Sequence, residues 1–301
     1  MEVNNGARTA IVIVNWRGWS DTIECVRSCL LLDQPGAFIV IVENGSGDES
    51  LERLTEEFGG EQRVHLVDSG ENLGFAGGNN VGIRYARERG CDYIWLLNND
   101  TVVDPDALSA LVRAARSDAS IGIWGSKIYY HSQPDVLWYA GATIDPKIGW
   151  THQLGQGECD EGQYDTVRRT EYVTGCSLLV STKVIDAIGL MDESYFLYWE
   201  EVDWCYRALR HGWESAVEPA SVLWHKVSAS ASASRRVQVR YEMRNRLIFH
   251  RRYRPKSLPG VFLRSLRIAL AEYVKHDREL GIGYLAGMRD FLLGRSGPIR
   301  A

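Results

Sequence analysis

Four short, continuous apolar runs in the first hundred residues constrain the fold more than any other feature. They are rich in β-branched residues and separated by segments of helical period; they are Thr9–Val14, Phe38–Val42, Val64–Val67 and Tyr93–Leu97. Strands that are apolar on both faces must be covered on both faces, as in a parallel sheet flanked by helices. In such sheets ligands bind beyond the carboxyl ends of the strands. We therefore expect an α/β fold with its binding site at that edge.

Composition sets the broad class of protein. The chain has 301 residues, of which 45% are hydrophobic and 24% charged, so it can bury a sizeable core and is neither disordered nor fibrous. Its net charge of −5 argues against a nucleic-acid partner. The six cysteines show no metal-ligand spacing, which favours buried free thiols. With neither a secretory signal nor a run of about 20 apolar residues, the chain is expected in the cytoplasm.

Polar residues follow the apolar runs at the predicted binding edge. Asn15 ends the first run, Glu43 ends the second, and Asn98-Asn99-Asp100 ends the fourth. A carboxylate in this place can hold a hard cation against a diphosphate. The alternative is a plain strand-to-turn transition, because Asn and Asp also cap turns by bonding their own backbone.

A glycine-rich segment, Glu71–Asn80, opens a predicted helix. It contains Asn72, Gly74 and Asn79 among three glycines and three asparagines. Such a turn lets backbone N–H groups approach a phosphate at the helix N-terminus. It lacks the dinucleotide-binding GxGxxG pattern, and tight packing of a helix on a sheet would explain the glycines equally well.

The segment Tyr198–Trp204 begins a predicted helix with three acids. On a helical projection Glu201 falls on the apolar side, whereas Glu200 and Asp203 share a face with Arg207 and are expected to be neutralised by it. An apolar setting raises the pKa of a carboxyl group and suits Glu201 to accept a proton near neutral pH. The alternative is that acids in a first helical turn complement the helix dipole.

His225 follows a later strand-like run. A lone histidine is most often a hydrogen-bonded structural residue, but together with Asp100 it would form a mixed nitrogen and oxygen site of the kind that Mn²⁺ accepts.

The stretch between Arg235 and Lys256 carries nine basic residues and one acid. It is followed by an amphipathic segment, Leu258–Tyr273. A solvated face is the usual explanation; contact of residues 235–273 with an anionic membrane surface, or packing of the amphipathic segment against a second subunit in a homodimer, are the alternatives.

The order of these motifs resembles that of the family 2 glycosyltransferases with the GT-A fold, within their rhamnosyltransferase-like branch. The matching segments lie between residues 9 and 230; they are Ile13–Trp16, Glu43–Asp48, Asn72–Gly82, Asn98–Asp100, Thr174–Cys176, Tyr198–Arg207 and His225. The implied fold is a mixed, mostly parallel sheet flanked by helices. Residues 1–230 would form the transferase domain, with a nucleotide-binding half at 9–103 and an acceptor half at 104–230, and residues 231–301 a helical extension.

The resemblance also implies roles for single residues. Donor binding falls to residues at the strand ends and in the glycine-rich turn: Asn15, Glu43, Asn72, Gly74, Asn79, Asn98, Asn99 and Asp100. Asp100 and His225 would ligate Mn²⁺ or Mg²⁺, and Glu201 would be the catalytic base. The family usually has Asp where this chain has Glu43, Asn98 and Glu201, which puts the nucleoside contact and the base position in question.

The implied reaction is an inverting transfer from a nucleotide sugar to a hydroxyl group of a glycan. dTDP-rhamnose is the first candidate donor, followed by UDP- and GDP-sugars. The acceptor would be a glycan or a lipid-linked glycan at the inner membrane face in bacterial polysaccharide synthesis. Two alternatives stay open. One is a sugar-nucleotide pyrophosphorylase, and the other is a catalytically degenerate binding subunit.

Overall fold

The computed structural model describes residues 7–145, 147–227 and 235–299. The first half alternates strands and helices, and all four predicted strands are present. In chain order the elements are β1 (Thr9–Asn15), α1 (Trp19–Cys29), β2 (Phe38–Glu43), α2 (Ser50–Phe58), β3 (Val64–Asp68), α3 (Gly74–Glu88) and β4 (Tyr93–Asn98). Strands β1, β2 and β4 are almost completely buried from end to end, as their continuous apolar sequences require.

The second half adds eight strands, of which β6 and β12 are the longest in the described chain, and six helices. The elements are β5 (Thr101–Val103), α4 (Ala107–Ser117), β6 (Ile121–Tyr130), β7 (Gln133–Tyr139), β8 (Ala142–Ile144), β9 (Thr151–Gln153), β10 (Arg168–Thr170), β11 (Ser177–Ser181), α5 (Thr182–Ile188), α6 (Glu200–Arg210), β12 (Glu214–His225), α7 (Arg235–Tyr253), α8 (Leu258–Lys275) and α9 (Arg278–Leu292). The predicted boundary between residues 230 and 231 lies outside the described residues.

A ten-stranded mixed sheet forms the centre of the molecule. Its order is β10-β12-β6-β11-β4-β1-β2-β3, with β5 paired to β12 and β7 to β6. Strands β1, β2, β3, β4, β6 and β12 run in one direction and the others run against them. The expectation of a mixed, mostly parallel sheet is confirmed.

Strand register brings the polar strand ends together. Asn15 lies opposite Glu43 in the β1–β2 pair, and Val14 lies opposite Asn98 in the β1–β4 pair. On the far side of β4, the antiparallel pair β5–β12 places Thr101 opposite His225. The carboxyl ends of β1, β2, β4 and β12 therefore meet at one edge, as the sequence predicts.

The basic stretch forms α7, which packs on α6 as part of the core. Phe249 contacts Trp199 and Tyr206 with ring centroids 5.3 and 5.4 Å apart. Arg244 and Arg246 are completely buried, so the expectation of a solvated basic face is wrong for this part of the helix. Periodicity could not reveal this, because the groups that bond these two guanidinium groups come from α8, from the segment after α9 and from the segment before α6.

Two further expectations concern cysteines and membrane spans. All six cysteines are free and five are buried as predicted, but Cys159 is exposed. Within the described ranges, every helix is too short or too polar to cross a bilayer.

Candidate active site

Asp100 and His225 form a buried pair at the carboxyl edge of the sheet. His225 Nε2 lies 3.0 Å from Asp100 Oδ1, and each residue is more than nine-tenths buried. The Lys226 backbone N–H donates to the Asp100 carbonyl at 2.9 Å, and the Trp138 ring packs edge-on against the imidazole at 4.5 Å. The β5–β12 pairing thus brings together the two residues for which the sequence predicts a metal site.

The pair can supply two metal ligands. Residues 7–145, 147–227 and 235–299 contain no group of three or more His, Cys, Asp or Glu side chains able to hold an ion. Mn²⁺ and Mg²⁺ accept oxygen ligands from diphosphates and water alongside one or two protein ligands. The arrangement therefore fits an ion that is shared with a bound diphosphate, rather than a closed site made of protein alone.

The side chains that end β1 and β2 shape the loop after β2. Asn15 accepts a hydrogen bond from Thr22 Oγ1 at 2.8 Å and donates to Ser46 Oγ at 3.3 Å. Glu43 accepts from the backbone N–H groups of Gly45 and Ser46 at 3.1 and 2.9 Å. The longer Glu43 side chain folds back to hold its own loop, and nucleoside contact by Asn15 and Glu43 stays a prediction.

The glycine-rich turn is held by Asn44, which the sequence analysis did not single out, and by Asn72 and Asn79, which it did. Asn44 donates to the Gly74 carbonyl at 3.1 Å and accepts from the Leu73 N–H, while Asn72 accepts from the Gly74 N–H at 2.9 Å. Asn79 donates to the Phe75 carbonyl one turn back at 2.9 Å. The predicted donor contacts of Asn72, Gly74 and Asn79 therefore remain predictions, since the turn has a structural role of its own.

Asn98 and Asn99 have different surroundings. Asn99 donates to Thr22 Oγ1 at 2.9 Å and to the Gly18 carbonyl at 3.3 Å, which ties the end of β4 to the start of α1. The Asn98 side chain is half-buried and makes no hydrogen bond to the rest of the described chain. Of the two, Asn98 is the amide that is free to bind a ligand.

Glu201 lies in the first turn of α6. Its Oε2 atom is buried and has no hydrogen-bond partner among the described residues. Burial raises the pKa of this carboxyl group to about 7, with a smaller contribution from the charge of Glu242 on α7. Glu201 can thus hold or release a proton near neutral pH, which is the property that the helical projection predicts.

The neighbouring acids differ from the prediction in one respect. Asp203 is paired with Arg207 at 2.7 Å, as expected. Glu200, however, is not neutralised by Arg207, because that guanidinium also donates to the carbonyls of Ile188 and Leu190, away from Glu200. Burial and the charge of Glu201 raise the pKa of Glu200 well above its usual range.

The segment from Tyr172 to Cys176 connects the metal-ligand pair with Glu201. Burial and then the charge of Glu201 raise the pKa of Tyr172, while burial and then the charge of Asp100 raise the pKa of Cys176. The Cys176 carbonyl also accepts from the Asn98 N–H at 3.0 Å. The Val173 N–H donates to Cys205 Sγ on α6 at 3.4 Å. One short segment therefore bonds both the strand end beside Asp100 and the helix that carries Glu201.

Comparison with known proteins gives a family match and several relatives. The model described as "Glycosyl transferase family 2" matches residues 10–173. A low-salt glycan biosynthesis hexosyltransferase of Haloferax volcanii is 27% identical over 67% of this chain and 61% of its own length. A dTDP-rhamnosyl transferase of Shigella flexneri is 24% identical, over 60% of this chain and 57% of its own length. An N-acetylglucosaminyl-diphospho-decaprenol L-rhamnosyltransferase of Mycobacterium tuberculosis is 27% identical over 64% of this chain and 67% of its own length. The chain thus spans about three fifths of the length of these relatives.

A solved structure shares the fold. The mannosyltransferase PcManGT from Pyrobaculum calidifontis, in complex with GDP-Man and Mn²⁺, superposes with a TM-score of 0.60 over 96% of this chain and 88% of its own. The two sequences are 13% identical, so this likeness concerns the fold alone.

Proposed function

The chain belongs to glycosyl transferase family 2 and has the GT-A fold, and on that premise we propose that it is an inverting, metal-dependent glycosyltransferase. The observation that carries the proposal is that the segment Tyr172–Cys176 bonds both the strand end beside the buried Asp100–His225 pair and helix α6, which carries the Glu201 carboxyl group of raised pKa. In this proposal residues 9–103 bind the donor and residues 104–230 bind the acceptor.

The donor diphosphate would lie over the Asp100–His225 pair. Asp100 and His225 would hold Mn²⁺ or Mg²⁺ there, and the bound ion would offset the charge that develops on the departing nucleoside diphosphate. The free amide of Asn98 can donate to the same diphosphate or to the sugar. Because the protein provides two ligands, donor and metal are expected to bind together.

Glu201 would act on the acceptor. With a pKa of about 7 its carboxylate is available near neutral pH to accept the proton of an acceptor hydroxyl. The acceptor oxygen then forms its bond to the anomeric carbon as the bond to the diphosphate oxygen breaks on the opposite face. This displacement inverts the anomeric configuration.

We propose rhamnose from dTDP-rhamnose as the transferred sugar, with UDP- and GDP-sugars as alternatives. Two of the relatives are described as rhamnosyl transferases, one as a dTDP-rhamnosyl transferase and the other as an N-acetylglucosaminyl-diphospho-decaprenol L-rhamnosyltransferase. A glycan on a lipid carrier is the corresponding acceptor for this chain.

The proposal includes contact of helix α8 with a membrane at its cytoplasmic face. Its outer surface exposes Leu263, Leu270 and Val274, next to the exposed side chains of Arg264 and Arg267. Apolar side chains flanked by cations suit a surface of anionic lipid. Sedimentation with anionic but not with zwitterionic vesicles is expected, whereas concentration-dependent dimerisation without vesicle binding would favour a second copy on this face.

The activity is tested by donor turnover. Purified protein is incubated with dTDP-rhamnose, UDP-glucose or GDP-mannose, with Mn²⁺ or with a chelator, and release of the nucleoside diphosphate is measured. We expect release from one donor with Mn²⁺ and its loss with the chelator. Absence of release or transfer with every donor would favour the degenerate binding subunit, and formation of a nucleoside triphosphate with added pyrophosphate would favour the pyrophosphorylase.

A further inference from the structure

The segment that leads into Glu201 has an unusual backbone. Phe196, Tyr198 and Trp199 have φ angles of 66°, 67° and 79°, in the left-handed region that bulky residues rarely adopt. Such conformations persist where the surrounding structure fixes them, and they cluster at functional sites. Trp199 is the N-cap residue of α6, so this segment decides where α6 begins and where Glu201 lies.

One side chain from α7 holds this backbone. Asn245 is completely buried, and its Nδ2 atom lies 2.9, 2.9 and 2.8 Å from the carbonyl oxygens of Tyr195, Leu197 and Tyr198, which share its two N–H groups. Arg244 fixes the amide in this orientation, because its Nε donates to Asn245 Oδ1 at 2.9 Å, and its Nη2 donates to the Tyr195 carbonyl at 3.1 Å.

The opposite side of the segment rests on the glycine-rich turn. The Phe75 N–H donates to the Phe196 carbonyl at 2.7 Å. A Cβ atom on Gly74 would lie 2.3 Å from the same carbonyl oxygen, so only glycine permits this approach. The left-handed segment is therefore clamped between the predicted donor-binding turn on α3 and Asn245 on α7.

From these contacts we propose that Asn245 is a positioning residue for the transfer reaction. It acts through the backbone of residues 195–198 and sets the place of Glu201 relative to the acceptor, without touching the donor or the metal ligands. The inference rests on the proposed function for the identity of Glu201 as the base. Through Asn245, helix α7 would contribute to catalysis, which is a role separate from the proposed membrane contact of α8.

The test compares Asn245→Ala with Asp290→Ala. Asp290 is also completely buried and bonds Arg240 on α7 at 2.6 Å, but its side-chain hydrogen bonds within the described chain go to Arg240 and Arg295 and not to residues 195–199, so it reports a general loss of packing around α7. For Asn245→Ala we expect kcat to fall about 10²-fold, the loss that a displacement of about 1 Å can cause, with the donor KM and the affinity for nucleotide with Mn²⁺ unchanged. Asp290→Ala should keep kcat within a few-fold.

Two readouts do not depend on turnover. Amide hydrogen exchange of residues 194–203 should accelerate in Asn245→Ala and not in Asp290→Ala, and the Glu201 carboxyl titration, followed by carbon NMR, should move in the first variant alone. Asn245→Ser, which keeps one donor, replaces the alanine variant if that one does not fold.

Unchanged kcat, exchange and titration in Asn245→Ala would overturn the inference, and so would equal losses in both variants. If the wild-type protein turns over no donor, the proposed function fails by itself. Exchange and titration then still decide whether Asn245 positions Glu201.

Discussion

Replacing Glu201 by Gln removes a proton acceptor while keeping the size of the side chain. General base catalysis contributes about 10²–10⁴-fold to the rate of a proton-transfer reaction, so kcat should fall by that factor while nucleotide affinity is retained. In the wild type the base acts as the ionised carboxylate, and the pKa of the Glu201 carboxyl group is about 7. Turnover should therefore rise with pH through about pH 7 and reach a plateau above it, and at one pH unit below the pKa it should be about tenfold lower than on the plateau.

The same substitution should stabilise the protein at alkaline pH. Glu201 has an ordinary pKa of 4.5 in the unfolded chain and about 7 in the folded one, so the unfolded chain loses its proton first as the pH rises. The free energy of unfolding of the wild type therefore falls between about pH 4.5 and 7 and stays lower above. At about 1.4 kcal/mol for each pKa unit, the loss is about 3 kcal/mol, and Gln does not incur it.

Urea unfolding at pH 5 and pH 8, together with turnover across that range, tests both expectations. Glu200→Gln is the matched control, because Glu200 is also buried in the first turn of α6 and burial together with the charge of Glu201 raises its pKa well above its usual range. It should gain stability at pH 8 without losing more than a few-fold in kcat. Near-normal turnover of Glu201→Gln, or equal stability of that variant and the wild type at pH 8, would refute the reasoning.

Two further substitutions test the glycine-rich turn and the metal pair. Gly74→Ala combines a φ of +72° with a Cβ atom 2.3 Å from the Phe196 carbonyl oxygen, and should cost about 3 kcal/mol or more of unfolding free energy in urea titrations. Gly90→Ala, with a φ of +69° and open space around it, should cost only about 1 kcal/mol; equal losses would contradict the role of the Phe196 contact. Asp100→Ala should keep the melting temperature of the free protein within a few degrees and lose Mn²⁺-dependent turnover, and a Mn²⁺ titration that matches the wild type would remove Asp100 from the metal site.

The sequence predicted the first half of the fold because one physical pattern determines it. Continuous apolar runs such as Phe38–Val42 can be satisfied only in strands that are covered on both faces, and their polar ends then meet at one edge. The closeness of Asp100 and His225 follows from the pairing of β5 with β12. The sequence analysis could place each of them at a strand end but could not derive that pairing.

Contacts made across the fold were not accessible to the same reasoning. A helical projection placed Glu200 near Arg207, but it could not show that two backbone carbonyls would take that guanidinium. The sequence analysis also explained the basic stretch that forms α7 as a solvated face, since neither Arg244 nor Asn245 by itself indicates burial. The only local signal is the set of apolar residues around them, such as Met243 and Leu247, which lie in the core.

Joint binding of nucleotide and metal tests the central claim most directly. The melting temperature is measured with dTDP, UDP and GDP, each with and without Mn²⁺. A ligand at 100 times its Kd should add about 2.7 kcal/mol to the free energy of unfolding, which raises the melting temperature by several degrees. We predict that one nucleoside diphosphate stabilises the protein and does so only with Mn²⁺. No stabilisation by any of the three, or stabilisation that is equal with and without the metal, would contradict a metal-assisted donor site at Asp100 and His225.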